Sequence, residues 1–185
     1  MKKYQIIYAD PPWYFTGYVK EIKKGIVRPQ MPYDLMTDIQ IVNLPVKNIV
    51  EDNAILFLWC VDNRLPIIPE IMNMWGFKYV TIGFVWNKIA KNTCGVNATF
   101  SAYTRKSCEF CYIGRRGKSI IKDHTQYQYY AEPKRKHSQK PDRIKNLIVK
   151  MCGDLPRIEL FARQKTEGWD VWGNEVESDI DLLGG

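Results

Sequence analysis

The sequence predicts an α/β domain of three layers, with a mainly parallel sheet covered by helices on both faces. Two observations carry this expectation. Short β-branched and apolar runs alternate along the chain with stretches of helical periodicity, the pattern of strands joined by crossover helices. The chain also has 185 residues and no internal repeats, which suits one domain with a sizeable core, residues 1–185.

Residues 4–9 (YQIIYA) form a short apolar run that stops at Asp10-Pro11-Pro12, so a buried strand delivers an acidic residue at its carboxyl end. Residues 17–33 carry Gly, Lys and Pro without periodicity and read as a loop. Thr37-Asp38 caps a helix, which Asn43-Leu44-Pro45 interrupts before residues 46–50. Residues 54–60 (AILFLWC) are a continuous apolar strand, and residues 65–75 a helix that ends at Gly76. Residues 77–86 and 107–113 read as two further strands, and residues 114–136 as a polar, basic and irregular segment. Ile144, Leu147, Ile148 and Met151 then mark one face of a helix over residues 141–151, closed by Gly153 and Pro156. Residues 157–161 and 169–172 are the last strands. Three segments, 16–33, 89–106 and 115–137, are expected to be mobile loops on the substrate side.

Composition narrows the function classes. Hydrophobic residues at 45% and charged residues at 25% make a folded chain and exclude a disordered one. A net charge of +7 favours a polyanionic partner, with Arg115-Arg116-Gly117-Lys118 and Lys134-Arg135-Lys136 as the densest basic runs. Cys60, Cys94, Cys108, Cys111 and Cys152 form no even framework, and Cys108-x-x-Cys111 has no second pair at metal spacing. The cysteines are therefore expected to be reduced and buried, and no metal site is expected. Met1-Lys2-Lys3 leads straight into a strand, and no apolar run reaches membrane-spanning length. The expectation is a cytoplasmic protein without a signal peptide or a membrane partner.

In open α/β sheets, ligands bind outside the carboxyl ends of the strands. Two polar clusters stand at such ends: Asp10-Pro11-Pro12-Trp13, and Ala162-Arg163. The first suits methylation of an exocyclic aromatic amine. The lone pair of such a nitrogen is delocalised into the ring, and acceptors on its N–H bonds return it to the nitrogen and stabilise the developing positive charge. Asp10 supplies a carboxylate, and a proline-flanked carbonyl supplies a second acceptor on a stiff backbone. Trp13 adds an aromatic ring for stacking on the base.

With Asp10-Pro11-Pro12-Trp13 in place, further segments agree in order: Pro32-Tyr33-Asp34-Leu35-Met36, Leu56-Phe57-Leu58-Trp59, Trp75-Gly76-Phe77, Val85-Trp86-Asn87-Lys88, His137-Ser138-Gln139-Lys140-Pro141, Glu159-Leu160-Phe161-Ala162-Arg163, and Gly168-Trp169 through Gly173-Asn174-Glu175. Together they resemble the family of the catalytic seventy-kilodalton subunit of the mRNA N6-adenosine methyltransferase, the MT-A family. In look the chain is nearest to the bacterial and phage DNA N6-adenine methyltransferases of that family.

The resemblance implies a Rossmann-like S-adenosylmethionine-dependent methyltransferase fold in circularly permuted motif order. It implies Asp10, Pro11, Pro12 and Trp13 as the catalytic tetrapeptide and S-adenosyl-L-methionine as methyl donor. Asp10, His137, Ser138, Lys140, Glu159, Phe161, Arg163, Asn174 and Glu175 are the implied cofactor-binding residues. Within that set, Lys140 is expected near the cofactor carboxylate and Glu159 at the ribose hydroxyls. On the substrate side the implied residues are Tyr14, Tyr33, Asn87, Lys88, Tyr103, Thr104 and Arg105, of which Tyr103-Thr104-Arg105 resembles a YTR segment of bacterial relatives. Ala162 stands where the glycine of a cofactor loop is expected. Only nine residues precede Asp10, so other residues must make the adenine contacts that an upstream segment makes in longer relatives.

The implied partner is nucleic acid, with DNA favoured over RNA because the small chain resembles the bacterial and phage enzymes; a host-cell or bacterial cytosol fits that reading. RNA N6-adenosine methylation and a catalytically inactive nucleic-acid-binding subunit are the alternatives. The second would have lost Asp10 or Lys140, and both are present. A homodimer or a heterodimer with a paralogue is left open. A nicotinamide-dependent enzyme is disfavoured, since no G-x-G-x-x-G follows a strand.

Overall fold

The computed structural model describes residues 2–14, 34–93, 95–101, 103–134 and 139–184. Tyr33, His137 and Ser138 lie outside the described residues, as do Arg135, Lys136 and the segment 16–33. Seven strands, β1 (Tyr4–Ala9), β2 (Val50–Cys60), β3 (Lys78–Ile89), β4 (Cys108–Arg116), β5 (Tyr129–Pro133), β6 (Arg157–Leu160) and β7 (Asp170–Trp172), form one sheet in the order β5-β3-β4-β2-β1-β6-β7. The pairs β1·β2, β1·β6, β6·β7 and β3·β5 are parallel, and the two pairs made by β4 are antiparallel. Every strand but β4 therefore ends at the same edge of the sheet, where β4 begins.

The apolar character of β1 and of residues 54–60 in β2 follows from cover on both faces. On one face Ile7, Leu56 and Leu58 pack with Ile41 of helix α1 (Asp38–Val42) and with Ile68 and Ile71 of α2 (Ile68–Met74). On the other, Ile6, Tyr8, Phe57 and Trp59 pack with Ile144 and Ile148 of α3 (Asp142–Cys152). Thr37 caps α1 as expected, in a capping box with Gln40.

Two expectations need correction. The helix expected over residues 65–75 is a 3-10 turn, Asp62–Ile67, followed by α2, because Pro66 and Pro69 lack the N–H groups a longer α-helix would use. The segment 114–136 is not wholly irregular. Residues 114–116 complete β4 against β2, and Tyr129–Pro133 adds an edge strand to β3. Arg116 fits at a strand end because its guanidinium donates to the carbonyls of Lys47 and Val50 and pairs with Asp52. Arg115, Arg116 and Lys118 thus sit at the edge of the sheet opposite Asp10, whereas Lys134 follows β5 on the same edge as Asp10.

Candidate active site

β1 is an interior strand between β2 and β6, so its carboxyl end opens within the sheet edge, and Asp10 is the first residue beyond it. The next three residues are tied down by backbone bonds: Trp13 N–H donates to the Pro11 carbonyl at 2.9 Å, Met36 N–H to Pro12 at 2.8 Å, and Tyr14 N–H to Met36 at 3.0 Å. Arg64 donates to the Tyr14 carbonyl and pairs with Asp38, so the start of α1 helps hold the tetrapeptide. Trp13 corrects its expected stacking role. Its ring is 4% exposed within the core, so it anchors the turn from beneath and offers no open face.

The Asp10 carboxylate is not alone. Lys140, just ahead of α3, donates to both of its oxygens at 2.7 Å and lies 3.0 Å from Glu109 of β4, whose other oxygen pairs with Lys88 of β3. Burial pushes the Asp10 carboxyl above its ordinary value; Lys140 opposes that shift and Glu109 adds to it. Burial works to raise Glu109 too, but Lys140 and Lys88 outweigh it and hold that carboxyl below its ordinary value. Burial would lower the Lys140 ammonium, and Asp10 followed by Glu109 more than reverses this.

Asp10 opens into a cavity of about 310 Å³ lined by Tyr8, Lys140, Lys145, Glu159, Phe161 and Arg163, among others. An adjoining cleft shares Asp10, Phe161, Arg163 and Glu175 and adds Pro12, Ala162, Trp172 and Asn174. The turn after β6 is built for this. Phe161 leaves the strand with φ 62°, a conformation rare for a non-glycine residue and held here by its ring against Trp172 at 5.5 Å. Gly173 takes up the close approach: a Cβ there would lie 2.2 Å from the Ala162 carbonyl oxygen. The glycine that the resemblance implied at position 162 has its counterpart in Gly173 on the facing strand end. Arg163 lies 3.5 Å from Glu175.

Of the expected cofactor set, Asp10, Lys140, Glu159, Phe161, Arg163, Asn174 and Glu175 are brought together around these two depressions. On the substrate side, Lys88 joins the Asp10 cluster, and Asn87 donates to the Tyr129 hydroxyl at 2.9 Å. Tyr103 is 97% exposed, and Arg105 lies over the Phe100 ring at 4.9 Å, on the segment between β3 and β4 at the same sheet edge. Tyr130, one of the tyrosines of the basic segment, is a core residue instead.

Two charged residues were missed from sequence. Glu109 lies within the apolar strand CEFCYIG, and a lone carboxylate in such a run is a signal for a partnered charge. Lys145 flanks the apolar face of α3, 7% exposed, where it pairs with Glu159 and donates to Thr166 at 2.8 Å. Burial raises the Glu159 carboxyl, with Lys145 opposing.

The MT-A70 family model matches residues 4–175, from β1 past both clefts. The chain belongs to the MT-A70 family. It is 32% identical to the Type II methyltransferase M.MunI of Mycoplasma sp, over 95% of this chain and 78% of that protein. It is 25% identical to the human N(6)-adenosine-methyltransferase catalytic subunit METTL3 and 28% to the human N(6)-adenine-specific methyltransferase METTL4. Those matches cover 98% and 95% of this chain but only 29% and 38% of the relatives. The chain is a methyltransferase of this family. Among the described residues, no helix is long and apolar enough to cross a membrane.

Proposed function

We propose that the chain transfers a methyl group from S-adenosyl-L-methionine to the N6 amine of adenine in nucleic acid, with DNA as the favoured polymer. The observation that carries this is Asp10: a carboxylate at the end of an interior strand, ahead of two prolines, opening into a cleft of mixed charge. That cleft suits the donor. Arg163 suits an amino-acid carboxylate, with Lys140 adding positive charge beside it while bonded to Asp10 and Glu109; Glu159 and Glu175 suit hydroxyl and ammonium donors, and Phe161 provides an apolar surface. When bound, the donor supplies an activated methyl on a sulfonium. The chain's own part is to hold the amine: Asp10 accepts from one N6–H and a tetrapeptide carbonyl from the other, which returns the lone pair to nitrogen. The N6 lone pair would take the methyl as its bond to sulfur breaks, leaving the donor as a neutral thioether, and the nitrogen would give up one proton to solvent.

One comparison supports DNA. The chain matches the Type II methyltransferase over most of that protein's length, whereas it spans 29% of METTL3. The net charge of +7 suits either polymer. Exposed Tyr103, Arg105 and Lys134 at the site edge suit stacking and phosphate contact, and a target inside a duplex would have to be flipped out.

The test is incubation with labelled donor and matched DNA and RNA oligonucleotides, then digestion to nucleosides and identification of the product. N6-methyldeoxyadenosine is the expected product. Label in N6-methyladenosine alone would move the substrate to RNA, and label in neither would overturn the reading.

A further inference from the structure

The ion pairs at Asp10 form a chain that leads out of the cavity. Asp10, Lys140, Glu109 and Lys88 alternate in sign, and each touches the next. Resting on the function proposed above, we infer that Glu109 is a positioning residue that couples a nucleic-acid phosphate at Lys88 to the release of Asp10 from Lys140.

Three features carry the coupling. An ammonium has three donors, and Lys140 spends them on both Asp10 oxygens and on Glu109. Both Asp10 oxygens therefore already accept from a cation, which weakens each as an acceptor for the target amine, and Glu109 is the competing anion already in reach. Lys88 holds the other Glu109 oxygen, which divides the pull of that carboxylate. Lys88 is also the far end of the chain from Asp10 and the more exposed of its two lysines. Its side chain is 18% exposed against 9% for Lys140, and its ammonium lies over the Trp86 ring beside Asn87.

A phosphate that draws Lys88 away leaves the whole charge of Glu109 to Lys140. Lys140 then shifts toward Glu109, and an Asp10 oxygen opens toward the amine. A carboxylate that has lost its cation is also the more basic acceptor. The device keeps Asp10 a weaker acceptor until nucleic acid is in place.

The other groups facing Asp10 do not supply this link. Arg163 is turned to Glu175, and Glu159 to Lys145. Tyr8 and Cys111 are held neutral by burial, which raises both far above their ordinary values.

The coupling can be read without turnover. Protein labelled with carbon-13 at aspartate carboxyls is titrated by NMR, with the Asp10 resonance assigned by its loss in Asp10→Asn. An oligothymidylate, which presents phosphates but no adenine, is expected to raise the Asp10 midpoint by about one pH unit. In Glu109→Gln the midpoint starts lower, because a carboxylate that raised it is gone, and the oligothymidylate no longer moves it. Glu109→Asp keeps the charge and is expected to restore the response. In single-turnover transfer with an adenine-containing oligonucleotide, Glu109→Gln should lose roughly ten-fold in rate, with little change in KM for the oligonucleotide. Melting curves report whether each variant is folded.

An Asp10 midpoint unmoved by bound oligothymidylate, no binding of it even at low salt, or a Glu109→Gln protein that responds as the wild type does would each overturn the coupling. Absence of methyl transfer by the wild type would instead strike the proposed function, and the titration would still decide the link.

Discussion

Replacing Lys145 with methionine removes one partner of a buried ion pair while keeping much of the side-chain volume. Lys145 is 7% exposed on the inner side of α3 and pairs with Glu159, with Thr166 as its second acceptor. Stripping a buried carboxylate of its cation costs about 3–5 kcal/mol where the group is sealed. Glu159 is 14% exposed and lines the cavity, so water relieves part of this, and about 2–3 kcal/mol is expected at neutral pH. For a domain of this size that is a fall of roughly 5–10 °C in Tm.

The loss should depend on pH with a definite sign. Burial already raises the Glu159 carboxyl, and without Lys145 it rises further. A raised carboxyl binds protons more readily in the folded than in the unfolded state, so stability falls as pH rises from the unfolded value, about 4.3, through the folded one. The deficit of Lys145→Met should accordingly be full above the raised Glu159 value and close as pH falls toward the unfolded value. Thermal melts of the wild type, Lys145→Met, Glu159→Gln and the double variant, taken from about pH 4 to 8, measure this as a cycle. The double variant should recover most of the loss, since a neutral amide no longer needs the cation. A single-variant loss under about 0.5 kcal/mol, or a double variant no better than the single, would refute the argument.

Asp10→Asn should cost about two to three orders of magnitude in transfer rate while the melting curve stays cooperative, because one oriented acceptor is lost and Lys140 keeps Glu109 as its partner. Gly173→Ala should weaken binding of S-adenosylhomocysteine in calorimetric titration, since its Cβ would push the Ala162 turn out of the cleft. Gly117→Ala should lower stability by about 1–3 kcal/mol by denaturant melt, with φ +61° and a Cβ 2.1 Å from the Asp52 carbonyl oxygen, yet leave donor affinity unchanged at the far edge of the sheet. Glutamine at both Arg115 and Lys118 should leave oligonucleotide affinity and its salt slope as they are, whereas glutamine at Lys134 should flatten the slope by about one; equal effects would refute the assignment of sheet edges.

Much of this protein was legible in its sequence. The alternation of apolar runs and helical periods sufficed for the three layers, because strands covered on both faces must be apolar throughout. Asp10-Pro11-Pro12 at a strand end pointed to the site, because a carboxylate followed by two residues without N–H groups suits an exposed, stiff turn. Other features needed neighbours. Tyr129–Pro133 is a strand only because β3 offers it an edge, and residues 114–116 only because β2 runs beside them. Trp13 looked like a stacking platform in one dimension and is a core residue in three. Glu109, Lys145 and the alternating charges from Lys88 to Asp10 come from segments up to 130 residues apart. Composition and periodicity record which side chains avoid water. Which buried charge faces which is decided by strand order and helix placement, and those exist only once the chain has folded.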